Sequence, residues 1–217
     1  QLRVVLSLLQ QLKFEKKPLI AVMDGFNNAE KVTENLKKRL SDRCVVEFFP
    51  SGAHPLKILL GRKVDHLFLD SDVGFVKAIQ LLKLKHCHPN LDFYVFEEGR
   101  GTYRTDMYGG LKKNVFDSIG VATCFGASPL TKGIFVINDV EYQSCLPNLS
   151  NKVTKIENDI QDIIKIEQEI LNDLFYFNVS DLTGKPGSKH CSVYLCDWQL
   201  NKSFLNEFQM LKGDLFC

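Results

Sequence analysis

The chain of 217 residues carries 27 basic and 26 acidic side chains, a formal net charge of +1, and is 45% hydrophobic and 24% charged. That balance is typical of a globular protein long enough to bury a sizeable core; it offers no global field for nucleic acid, and no apolar run approaches the roughly 18 residues of a membrane span. Seven cysteines, at positions 44, 87, 124, 145, 191, 196 and 217, follow no metal or disulfide spacing, so reduced thiols in a cytoplasmic setting are expected.

Leu2, Val5, Leu9 and Leu12 fall on one helical face, with Val4 and Leu8 beside them. An α/β domain usually opens with a strand, so a further strand upstream is expected. Residues 18–23 read as a buried strand ending at Asp24-Gly25. Ala29, Val32, Leu36 and Leu40 then mark an amphipathic helix capped near Asn27 or Asn28. A second strand follows over 44–49, a short helix over 55–60, and a third strand over 65–69. Val76, Ile79, Leu82 and Leu84 mark a further helix. Pro89-Asn90 turns the chain into a strand over 92–96. Strands alternating with helices over about a hundred residues predict parallel βαβ units, a Rossmann-like half.

Beyond Tyr103 the pattern loosens. A helix over 106–118 and a strand over 133–137 are expected. Val153, Ile156, Ile160, Ile163, Ile170 and Leu174 repeat at spacings near three and four, which predicts one amphipathic helix of roughly 20 residues interrupted at Glu167. Residues 184–189, Gly-Lys-Pro-Gly-Ser-Lys, are the best linker. A strand near 192–196 and a helix near 203–211 follow. The division expected is an N-terminal Rossmann-like domain over 1–130, a connector over 131–190, and the start of a second α/β domain over 191–217.

The chemistry concentrates at Glu97-Glu98-Gly99-Arg100-Gly101-Thr102-Tyr103, directly after the apolar run Phe93 to Phe96. Two carboxylates at the end of a strand stand where open α/β sheets take ligands. Adjacent strand residues point to opposite faces, so one glutamate faces the cleft and the other serves the loop. A carboxylate beside two glycines suits a proton acceptor for a sugar hydroxyl; the plainer alternative is a pair of solvated acids in a polar turn.

This stretch resembles the acid-acid-glycine motif of bacterial sialyltransferases, above all the lipooligosaccharide sialyltransferases of glycosyltransferase family 52 and the related capsular polysialyltransferases. The resemblance implies a two-domain GT-B fold, CMP-sialic acid as donor, inversion at the anomeric carbon, and no metal or other cofactor. It implies Glu97 as the general base, Glu98 and Gly99 as shapers of the turn, and Arg100, Gly101, Thr102 and Tyr103 on the substrate side. Family members start with a strand whose polar motif closes in glutamine, which would set Gln1 at the cleft mouth; an ordinary helix-terminal glutamine is the other reading. The implied partners are a nucleotide-sugar donor and a bacterial surface glycan acceptor, without nucleic acid, compatible with a homodimer and a peripheral seat on the inner membrane. The chain departs from the family in its His-Pro pairs. His54-Pro55 and His88-Pro89 lie upstream of Glu97 rather than downstream and read as turns, while His190 lacks the proline.

Two alternatives stay open. Asp70-Ser71-Asp72 has the Asp-x-Asp form with which GT-A glycosyltransferases hold a divalent cation, although Asp72 or Ser71 capping the next helix accounts for it more simply. A noncatalytic α/β module that binds sugar or nucleotide through Glu97 and Glu98 is the other. Arg104, Lys112 and Lys113 add a basic edge suited to an anionic ligand or to solvent.

Overall fold

The computed structural model describes residues 2–25, 29–50, 59, 62–157, 161–174, 191–193 and 214–216. Gln1, the cap near Asn27 or Asn28, all but Leu59 of the helix expected over 55–60, and the helix expected over 203–211 lie outside these residues. The chain divides into two compact units, Gln1–Leu174 and Phe175–Cys217.

The first unit is α/β with parallel sheets throughout. Helix α1 (Leu2–Gln11) leads into β1 (Leu19–Met23), α2 (Ala29–Leu40) and β2 (Val45–Phe49). Strands β1 and β2 form a two-stranded parallel sheet in register from Leu19 opposite Val45 to Met23 opposite Phe49. The second sheet has four parallel strands in sequence order: β3 (His66–Leu69), β4 (Asp92–Phe96), β5 (Thr131–Val136) and β6 (Val153–Lys155). Its crossovers carry α3 (Phe75–Cys87), α4 (Gly110–Ser118) and α5 (Asp139–Cys145), and α6 (Gln161–Leu174) closes the unit. Parallel strands need such crossovers because the chain must return to the same end of the sheet.

Alternation along β4 sets the interior. Phe93 and Val95 are fully buried on one face, while Tyr94 and Phe96 point to the other. There Tyr94 stacks on Phe68 of β3 at 5.1 Å and meets Val4 and Leu8 of α1 in one apolar cluster with Phe135 and Ile156. The remaining face of α1, with Leu6, packs instead with Leu36 and Leu40 of α2, Val46 of β2, and Ile163 and Ile170 of α6. A helix apolar nearly all round is one that is covered on both sides.

One expectation is corrected. The helix expected from Val153 is a short strand, β6, paired with β5 from Ile134 opposite Val153 to Val136 opposite Lys155, and helix α6 begins only at Gln161. Ile156 is buried at the base of this strand rather than on a helix face. Glu167, which breaks the apolar stripe, is explained by an ion pair with Arg3 of α1 at 2.6 Å. In α3 the inner face is Leu81 and Leu84, each 1% exposed; Val76, Ile79 and Leu82 point to solvent. Strands β5 and β6, which follow residue 130, belong to the same sheet as β3 and β4.

The second unit contributes β7 (Cys191–Val193) and β8 (Asp214–Phe216), paired in parallel. Among the described residues no helix is long and apolar enough to cross a membrane.

Candidate functional site

Glu97 follows β4 with the parity of Phe93 and Val95, so its side chain turns inward and is 8% exposed. Glu98 has the opposite parity and is exposed. The two acids thus point to opposite sides, as adjacent residues at a strand end do, and the one whose carboxylate bonds the following loop is Glu97. The Glu97 amide donates to the Phe135 carbonyl and prolongs the β4–β5 ladder by one step. Its carboxylate then takes the next rung, since Oε2 accepts from the Ile137 amide at 2.7 Å.

The same oxygen accepts from the Tyr103 hydroxyl at 2.5 Å, and the Asn138 amide donates to that hydroxyl at 3.2 Å. Burial and the facing carboxylate push the Tyr103 phenol well above its usual range, so it stays a donor. Among the described residues Glu97 Oε1 takes no hydrogen bond. One carboxylate oxygen is thus fixed and the other retains its lone pairs.

Residues 97–103 form a tight support for this arrangement. Thr102 is fully buried, and its hydroxyl accepts from the Glu98 amide at 3.0 Å. The Thr102 amide donates to the Gly99 carbonyl at 3.0 Å, starting the 3-10 turn Arg100–Tyr103. Gly99 has φ 139°, a conformation nearly reserved to glycine, and a Cβ there would meet no atom within 4 Å. Gly99→Ala is therefore expected to act through backbone strain alone, lowering stability by about 1 to 3 kcal/mol; thermal unfolding of the variant measures it, and an unchanged midpoint would contradict this turn geometry.

Of the residues expected at the site, Glu97, Glu98, Gly99, Thr102 and Tyr103 are joined by these bonds. Arg100 is exposed and Gly101 serves the turn through its carbonyl, which accepts from the Arg104 amide. Arg104 pairs with Asp106 at 2.8 Å, and Lys112 lies over the ring of Tyr108, 4.7 Å from its centroid. Sequence reasoning missed Ile137 and Asn138. The Asn138-x-x-Glu141 spacing is the signal that would have found them, because Asn138 Oδ1 caps α5 by accepting from the Glu141 amide at 3.1 Å.

Asp70 and Asp72 part company. Asp72 is fully buried; its Oδ1 accepts from the Gly126 amide at 2.9 Å, and its Oδ2 from the Ser128 amide at 3.0 Å and the Thr131 hydroxyl at 2.7 Å. Burial pushes its carboxyl up while these donors pull it back. Asp70 lies half-exposed beside Lys77, 3.4 Å away. The expected side-chain cap is also replaced: Gly74 stands at the N-cap of α3 without a side-chain bond, and Ser71 Oγ accepts from Val73.

His88 ends α3, its amide donating to the Leu84 carbonyl, and Pro89-Asn90 make the expected turn. Cys44, Cys87, Cys124 and Cys145 are free thiols, and burial raises the pKa of Cys44 and Cys124, away from the reactive thiolate. No protein-family model matches the chain, and no curated protein is significantly similar to it.

Proposed function

We propose that the protein is an inverting glycosyltransferase of GT-B type that moves sialic acid from CMP-sialic acid to a hydroxyl of a bacterial surface glycan. The observation that carries this reading is Glu97: a largely buried carboxylate at the carboxyl end of a parallel strand, one oxygen fixed by Tyr103 and Ile137 and the other open. A base needs that combination, because fixing one oxygen orients the other without consuming its lone pairs. In the proposed reaction Glu97 takes the proton of the acceptor hydroxyl as the bond between sialic acid and CMP breaks. The hydroxyl oxygen attacks the anomeric carbon from the opposite face, and the electron pair of the broken bond leaves on the CMP phosphate.

Arg100 and the turn at Gly101 lie on the substrate side of this reading, and Tyr103 acts on the base rather than on the acceptor. The metal-dependent alternative is weakened by the anchoring of Asp72, whose two oxygens are both occupied by donors of one loop. The direct test is an assay of the full-length protein with CMP-sialic acid and a lipooligosaccharide or capsular glycan acceptor. Release of CMP with sialylated product, undiminished by EDTA, is the expected result. Absence of transfer from CMP-sialic acid would overturn the reading, and transfer restored after EDTA only by manganese would return the assignment to Asp70 and Asp72.

A further inference from the structure

The two amides that follow β5 converge on one carboxylate oxygen. Ile137 donates to Glu97 Oε2 directly, at 2.7 Å. Asn138 reaches the same oxygen through the Tyr103 hydroxyl, to which its amide donates at 3.2 Å and which donates in turn to Glu97 at 2.5 Å. The longer of these backbone bonds is the one with a competitor. Asn138 is the N-cap of α5, its Oδ1 accepting from the Glu141 amide at 3.1 Å, and Glu141 is the third residue of that helix. In a capping box the acid at this third position turns back and accepts from the backbone amide of the cap residue. Here it does not. Glu141 Oε2 accepts from the side-chain amide of Asn138 at 2.8 Å, and the backbone amide goes to Tyr103.

That outcome depends on the residue type. Among the good cap residues Ser, Thr, Asp and Asn, only asparagine has one atom to accept from the third amide and a separate one to donate to the third side chain. Both Asn138 and Glu141 are exposed, so the bond between their side chains contributes little to the fold. Its consequence is the partner it leaves to the Asn138 amide.

We propose that Asn138 is a positioning residue for Glu97: by holding the Glu141 carboxylate with its side-chain amide, it reserves its backbone amide for the Tyr103 hydroxyl and so fixes Glu97 Oε2. This role rests on the reaction proposed above, with Glu97 as its base. Asn138→Ser is the variant that tests it, since serine still caps α5 and completes with Glu141 an ordinary capping box that takes the amide away from Tyr103. In the sialyl-transfer assay of the full-length protein its kcat is expected to fall by about threefold to fivefold, with the KM for the acceptor and the unfolding midpoint near the parent's, because the phenol still donates to Glu97. Adding Glu141→Ala removes the competitor and is expected to bring kcat back to within about twofold of the parent. In a Tyr103→Phe background Asn138→Ser should lower kcat no further, since both act through one hydroxyl. Parent kcat in Asn138→Ser, a loss that Glu141→Ala does not restore, or an additive loss beside Tyr103→Phe would each overturn the role of Asn138, while a loss of about a hundredfold in Glu97→Gln would leave the base in place. No sialyl transfer by the parent, or undiminished turnover in Glu97→Gln, would overturn the base and this role with it.

Discussion

Asp72→Ala is expected to destabilise the Gln1–Leu174 unit by about 3 to 5 kcal/mol, the range for removing the acceptor of several buried donors. The Gly126 and Ser128 amides and the Thr131 hydroxyl all donate to this one carboxylate. Without it, two backbone N–H groups are left unpaired where water is excluded. Lys152 binds the Gly126 and Ser128 carbonyls from the other side, so the loop between α4 and β5 is held by two opposite charges. Its disruption reaches the core, because the Phe125 carbonyl accepts from the buried Tyr142 hydroxyl. With 2 to 4 °C per kcal/mol for a unit of this size, the thermal midpoint should fall by roughly 6 to 20 °C.

Asp70→Ala is the control, since its pair with Lys77 is half-exposed and contributes under about 1 kcal/mol. A melting curve for Asp72→Ala that overlays the Asp70→Ala curve would refute the anchoring role. Loss of transfer in an Asp70→Ala variant that melts normally would instead revive the cation-binding reading of the pair.

The Asp-x-Asp form shows where sequence and structure diverge. Residue type and spacing singled out Asp72, but its partners lie more than fifty positions away in a loop without a pattern of its own. Short-range chemistry cannot name them. The strands were more legible: the apolar runs ending at Met23, Phe49, Leu69 and Phe96 each became a parallel strand, because buried strands read as continuous apolar segments bounded by turns. Strand β6 was hidden, since three residues hold too little of a period, and Val153 and Ile156 happen to fit a helical spacing.

Helix α3 was legible as a helix but not in its orientation. It carries apolar residues on both faces, so periodicity alone does not say whether Leu81 and Leu84 or Ile79 and Leu82 turn inward. What decides is the cluster that Leu81 and Leu84 form with Leu91 and Phe93. Strand alternation made it legible that Glu97 and Glu98 point to opposite sides, whereas the choice between them came from the resemblance and fell on Glu97. Its partner Tyr103 was noticed only as a neighbour of the substrate, because a bond from residue 103 back to residue 97 requires the 3-10 turn between them.

That bond gives the proposed base its sharpest test. Glu97→Gln replaces the carboxylate with a group of the same shape, and the amide oxygen can still accept from Tyr103 and Ile137 while the amide nitrogen takes the place of Oε1. The fold is therefore expected to survive with a midpoint close to the parent's. The basic lone pair is lost, so kcat should fall by about a hundredfold or more, worth roughly 2.7 kcal/mol of barrier, with KM for the acceptor changed far less. Tyr103→Phe retains the base and removes one of the two donors that hold it, along with the acceptor of the Asn138 amide. Its kcat is expected to fall by about tenfold, a positioning loss that leaves proton acceptance intact. Both variants belong in one assay of the full-length protein beside thermal unfolding. If the Glu97 carboxylate serves only to end the β4–β5 ladder and staple the turn, Glu97→Gln will match the parent in turnover and Tyr103→Phe will be the less stable of the two. A deep loss in Glu97→Gln at unchanged stability, with Tyr103→Phe between it and the parent, is the ordering that only a base on Oε1 produces.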